Sequence, residues 1–203
     1  MSWSKELFSS KKQDWATPQY LFDYFNDKYC FGLDAAATAE NSKCERFIPP
    51  ESDALSINWA EEYPDVHAIW LNPPYGRGVG KWMEHCYTMA LRGHQLIAAL
   101  IMARTDTKWW HEYCMKAQQI YLIKGRVKFI GSDGVAGNAA PAPSAVVVWR
   151  MPPPPSVRYG QYSPSFRSCR VHSTQSWAAV QRKDGEYEPP REEHYLVPRR
   201  FDG

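Results

Sequence analysis

Residues 96–103, LIAALIMA, are apolar without interruption. A run of this length fits a strand and falls far short of the ~18 apolar residues of a membrane helix. With no polar face, such a strand has to be covered on both sides, as inner strands of parallel sheets are when helices pack on each face. The flanking segments supply helices. Leu21, Phe22, Phe25 and Tyr29 recur at helical spacing over 18–29, behind Thr17-Pro18 as a start signal. A second helix is predicted over 80–91, closed by Gly93. Thr105-Asp106 is expected to cap a third, running to residue 116. Strands are predicted over 30–36, 66–71, 95–103, 119–123, 126–130 and 144–150, with 119–123 and 126–130 joined around Lys124-Gly125 and a Gly/Ala/Pro loop over 132–143. This alternation reads as an α/β fold, a mostly parallel sheet with an antiparallel pair at its end.

The chain has 203 residues, 44% of them apolar, which excludes disorder of the whole and fits one domain with an appendage. Residues 1–12 are expected to form an N-terminal arm and 13–150 the domain. Residues 151–203 form a Pro-rich extension that opens MPPPP and carries half of the 16 prolines, with room for a short helix at 175–182. Five cysteines at wide spacing, with no CxxC pair, suggest free buried thiols and neither a zinc site nor a disulfide framework. No metal is expected. The polar residues 1–12 lack a signal-peptide core, so a cytoplasmic address is expected. Net charge is only +2, but residues 66–150 hold 10 Lys+Arg against 4 Asp+Glu, while residues 1–65 hold 6 against 12. A polyanion would favour the middle of the chain.

Directly after the strand that ends in Leu71 come Asn72, Pro73, Pro74 and Tyr75. In open α/β sheets, ligands gather at the carboxyl ends of strands. Two prolines in succession make a rigid tether, which aims the Asn72 amide and the Pro73 carbonyl at one point and sets Tyr75 beside it. Two fixed carbonyl acceptors suit an exocyclic amino group, which has two N–H donors, and an aromatic face suits a planar base. Asparagine is no general base near neutral pH. The chemistry open to this arrangement is therefore positioning and electrostatic stabilisation.

These residues resemble the amino-methyltransferase motif of S-adenosylmethionine (SAM) enzymes, and the chain as a whole resembles the phage-type, Dam-like DNA N6-adenine methyltransferases. The stretches that carry the likeness are WATPQYLFDYF (15–25), FGLDAAATAENSKC (31–44), ESDAL (51–55), WLNPPYGRGVGKWMEHC (70–86), ARTDTKWWHE (103–112), GRVKF (125–129) and APAPSAVVVW (140–149). The resemblance implies a Rossmann-like SAM-dependent methyltransferase fold. It implies that Asn72, Pro73, Pro74 and Tyr75 hold a flipped adenine at its N6 amino group. It also implies a SAM site of Trp15, Thr17, Pro18, Asp34, Ala35, Ala36, Glu51 and Asp53. One departure stands out: many SAM enzymes carry a Gly-rich turn where this chain has Ala35, Ala36 and Ala37 after Asp34.

A base inside a duplex is out of reach, so an enzyme acting on it has to grip the backbone and flip the base. Arg77, Lys81, Arg104, Thr107 and Arg126 follow strands or sit in basic loops and are the candidates for double-stranded DNA contact. Protection of phage DNA from host restriction is the role the family suggests, in a bacterial host cytoplasm, with the enzyme a monomer or weak dimer. Two alternatives stay open from the residues alone: an amino-group methyltransferase acting on RNA or protein, and a non-catalytic binding protein of the same fold.

Overall fold

The computed structural model describes residues 15–93, 95–131 and 133–150. The expected arm at 1–12 and the extension at 151–203, with its short helix, lie outside the described residues.

Apolar runs make the central sheet. Strands β1 (Leu33–Asp34), β2 (Ala68–Leu71), β3 (Leu96–Met102), β4 (Gln119–Leu122) and β7 (Ser144–Trp149) form five strands in the order β1-β2-β3-β7-β4. β1, β2 and β3 are parallel, and β7 runs antiparallel to both of its neighbours, so four of the five strands point the same way. Every residue of β2, β3 and β7 is buried.

Side chains alternate between two cores, as the period-2 geometry of strands requires. Ile69, Leu71, Ile97, Ala99 and Ile101 face helices α3 (Val79–Gly93) and α4 (Lys108–Glu112). Ala68, Trp70, Ala98 and Leu100 face α1 (Gln19–Tyr29); Phe22 and Phe25 of that helix and Phe31 just beyond it surround the Trp70 ring at centroid distances of 5.6, 6.1 and 5.2 Å.

Three expectations are corrected. The strand at 119–122 does not pair with the one that follows it; it joins the sheet beside β7. The following strand, β5 (Lys128–Ile130), instead makes a separate antiparallel ribbon with β6 (Ala136–Ala139), inside the stretch read as a loop. The AGNA sequence of β6 has no apolar face to announce it, and its residues are largely exposed. The helix expected from Thr105-Asp106 to residue 116 is shorter. Thr107 is its N-cap residue, and beyond Glu112 the chain tightens into a 3₁₀ turn at Cys114–Lys116. A short helix, α2 (Trp59–Glu62), is capped by Asn58, whose Oδ1 accepts from the Ala60 N–H, and was not foreseen.

Of the cysteines, Cys86 and Cys114 are free and buried, and Cys44 is free and half-buried. Cys30 departs from the expectation of a free buried thiol: it is disulfide-bonded and exposed at the left-handed end of α1. No helix among the described residues is long and apolar enough to cross a membrane.

The topology gathers one edge. β1, β2, β3 and β4 all end there, and β7 begins there, with Met102 opposite Ser144 and Leu122 opposite Ala145. Asp34, Asn72, Arg104 and the loop that carries Arg126 therefore reach the same rim. The β5–β6 ribbon joins it through an antiparallel bridge between Ala16 and Ile130.

Candidate active site

A cavity of about 340 Å³ opens at this rim, within the usual size range of small-molecule sites. Its wall includes Trp15, Thr17, Asp34, Ala35, Ala36, Asp53, Asn72 and Pro74, all foreseen from sequence. Pro18, Glu51, Pro73 and Tyr75 are not on the wall. Pro18 is the N-cap of α1, its carbonyl accepting from Leu21 and Phe22. Glu51 is exposed in a 3₁₀ turn between the wall residues Pro50 and Asp53. Pro73 is buried, and Tyr75 turns into the apolar core on the α1 side.

Asn72 follows β2 directly, and both ends of its carboxamide are assigned. Its Nδ2 donates to the Trp15 carbonyl at 2.7 Å, and its Oδ1 accepts from the Tyr75 hydroxyl at 2.9 Å. The donor side meets a carbonyl and the acceptor side a hydroxyl, which fixes the amide orientation. The Tyr75 hydroxyl has a second acceptor, the Leu100 carbonyl, at 3.1 Å. Burial pushes this phenol well above its ordinary range, so it stays a neutral donor. The ring of Tyr75 meets Phe129 of β5 at 5.4 Å and 65°. No backbone N–H among the described residues bonds the Pro73 carbonyl.

Asp34 closes β1, 3% exposed. Its carboxylate accepts from the Lys43 N–H at 3.0 Å and, more weakly, the Ala36 N–H at 3.4 Å. Burial raises its pKa from 3.8 to about 6 against the pull of those donors. Between those values the folded chain keeps a proton that the unfolded chain has released, so stability falls as pH rises from 3.8 to about 6. In melts of the ligand-free protein, Asp34→Asn is expected to gain on the parent across that window. Parallel curves for the two proteins would count against this assignment.

The missing glycines after Asp34 are harmless here. The described non-glycine residues with positive φ are Cys30 and Asp53, so Ala35, Ala36 and Ala37 adopt conformations open to any residue. All three line the cavity, where a small side chain is what close approach requires.

Two polar atoms on the wall have no hydrogen-bond partner among the described residues although they are buried: the Trp15 Nε1 and the Thr17 Oγ1. Buried donors of this kind call for an acceptor, and a ligand with hydroxyl and carboxylate groups would supply one. Wall residues that sequence reasoning missed include Asn41, Lys43, Pro49 and Trp82. Lys43 lies in the ENSKC stretch, but nothing in its spacing marks it, because the loop that brings it back to Asp34 is a tertiary feature.

The basic candidates stand at the same rim with different surroundings. Arg77 is exposed between Gly76, at φ +155°, and Gly78, and Lys81 is exposed in the first turn of α3. Arg104 is exposed and 3.8 Å from Asp106. Thr107 spends its hydroxyl on the Arg104 carbonyl at 2.7 Å, and Arg126 donates to the Ala140 carbonyl at 3.4 Å. Among the described residues, no cluster of His, Cys, Asp or Glu could hold a metal ion.

Residues 4–163 match the family described as DNA N-6-adenine-methyltransferase (Dam). The DNA N-6-adenine-methyltransferase of Haemophilus phage HP1 (strain HP1c1) is 28% identical over 169 residues, 79% of this chain and 91% of that protein. The DNA N-6-adenine-methyltransferase of Escherichia phage T1 is 29% identical over 175 residues, covering 76% of this chain and 70% of that protein. The family match spans the parallel-sheet rim, the cavity beside it and the oriented Asn72 amide alike: the chain belongs to the DNA N-6-adenine-methyltransferase (Dam) family.

Proposed function

We propose that this chain is a SAM-dependent methyltransferase acting on the N6 amino group of adenine in double-stranded DNA, on a Rossmann-like domain of residues 13–150. The observation that carries the reading is the Asn72 carboxamide, whose orientation is held by the Trp15 carbonyl beside a cofactor-sized cavity. Residues 1–12 and 151–203 are its arm and extension. It acts as a monomer or weak dimer in a bacterial host cytoplasm.

SAM, when bound, supplies an electrophilic methyl group on a sulfonium centre. Trp15, Thr17, Asp34, Ala35, Ala36 and Asp53 would hold it, with Pro18 and Glu51 next to the wall residues Thr17 and Pro50 in the chain. Asn72 Oδ1 and the Pro73 carbonyl accept the two N6 hydrogens of an adenine flipped out of the duplex. Carbonyl dipoles already fixed in place stabilise the charge that develops on the nitrogen as it attacks, and need no reorganisation at that moment. Tyr75 can turn its proton to the Leu100 carbonyl as the base arrives, so no buried donor is stranded. Its ring, backed by Phe129, stacks on the base. Pro74 stiffens the approach.

Arg77, Lys81, Arg104 and Arg126 grip phosphates, while Thr107 holds the Arg104 loop in shape. Arg77→Ala is expected to lower the slope of log affinity for DNA against log salt by about 0.9, the value for one phosphate contact, while SAM binding stays unchanged. An unchanged slope removes Arg77 from the interface.

The test of the reaction is a product assay. Unmethylated DNA is incubated with enzyme and SAM, digested to nucleosides and analysed by mass spectrometry. N6-methyladenine without N4-methylcytosine is the expected product. Turnover on RNA or protein and none on DNA would overturn the assignment.

A further inference from the structure

We infer that Lys43 is the receptor for the carboxylate of the cofactor's methionine moiety, so that Asp34 and Lys43 together read an α-amino-acid end. The inference rests on the reading of the cavity as a SAM site.

The backbone brings the two residues together. After Asp34 the chain loops out and returns through a parallel bridge between Asp34 and Phe47. On the way, the Lys43 N–H bonds the Asp34 carboxylate at 3.0 Å, which pins the lysine to the same end of the cavity. Lys43 is the one lysine or arginine among the described residues of the wall. Its ammonium donates to Gln19 Oε1 at 3.0 Å, and Gln19 in turn bonds Asp23 at 2.7 Å. Lys43 takes part in none of the three ion pairs found among the described residues. Asp23 and Asp34 face it from α1 and β1 and favour its charge, yet burial outweighs them and draws its pKa down. A half-buried cation on a cavity wall, steadied by a neutral amide and lacking a contact anion, is suited to an incoming carboxylate. The buried Asp34 beside it is suited to an ammonium. A zwitterion with both groups on one carbon matches that pair.

Calorimetric titration of the full chain with SAM and with decarboxylated SAM, which lacks only the carboxylate, tests the assignment. The parent protein is expected to prefer SAM by roughly 10- to 100-fold, the range for one hydrogen bond to a charged group. Lys43→Met should bind the two ligands within about twofold of each other, and Lys43→Arg should keep the preference. Because both ligands are measured on one preparation, a partly unfolded variant leaves the ratio intact. A parent without preference, or a Lys43→Met variant that retains it, overturns the inference and leaves the SAM site standing. A parent that binds neither ligand overturns the SAM reading and the inference with it.

Discussion

Replacing Asn72 by alanine should lower turnover for adenine methylation by about 10²–10³-fold, the cost of losing one preorganised group that stabilises developing charge. Binding should suffer far less. The variant loses one neutral contact to the incoming amino group and the tie to the Trp15 carbonyl at 2.7 Å, so affinity for SAM and for DNA should each change by less than about tenfold. The distinction matters because only an interaction that strengthens on the way to the transition state changes turnover more than binding. Tyr75 keeps the Leu100 carbonyl as acceptor at 3.1 Å, so the variant does not strand a buried hydroxyl and should fold. Single-turnover kinetics with saturating SAM and DNA, alongside titrations of each ligand, separate the two effects. A loss that falls entirely on affinity would mean that Asn72 binds base and transition state alike, and the positioning mechanism would fail.

Gly137→Ala should lower the overall rate constant kcat/KM by about 10²-fold, although Gly137 lies on the exposed ribbon rather than on the cavity wall. A Cβ there would stand 2.6 Å from Cζ3 of Trp15, 3.1 Å from its Cη2 and 3.3 Å from the Phe129 carbonyl. Something must move. The Phe129 carbonyl belongs to β5, so the freer partner is the Trp15 ring. Trp15 has two duties: its side chain lines the cavity and its carbonyl orients Asn72. The bridge between Ala16 and Ile130 also ties this segment to the ribbon. Displacement of Trp15 would therefore disturb the cavity proposed to hold the cofactor and misaim the Asn72 amide together, and a misplacement of about 1 Å is enough for a loss of this size. SAM titration and turnover on DNA are the two measurements. A Gly137→Ala variant with both within about twofold of the parent would show that the ribbon does not support the site.

Much of this was legible along the chain. The apolar run of β3, the helical spacing of Leu21, Phe22 and Phe25, and Asn72-Pro73-Pro74-Tyr75 at a strand end each state a local rule that tertiary packing obeyed. Asp34 at the end of β1 and the small residues after it follow the same logic, since strand ends in such sheets face the ligand. Other features carry no local signature. β6 pairs because β5 and Trp15 offer it a place, not because Ala136, Gly137, Asn138 and Ala139 favour a strand. Tyr75 resembles a wall residue in sequence, yet its hydroxyl turns inward to Asn72 and Leu100, which a motif cannot specify.

The chain alone therefore determined the α/β class, the apolar strands that need cover on both faces and the place of Asn72-Pro73-Pro74-Tyr75 at a strand end, because periodicity and proline geometry act over a few residues. Only the tertiary structure decided that β4 pairs with β7, that Trp15 orients Asn72 across 57 positions of sequence, and that Lys43 returns to Asp34. Those contacts depend on loop closure and on competition among many partners, and neither is written in the neighbours of a residue.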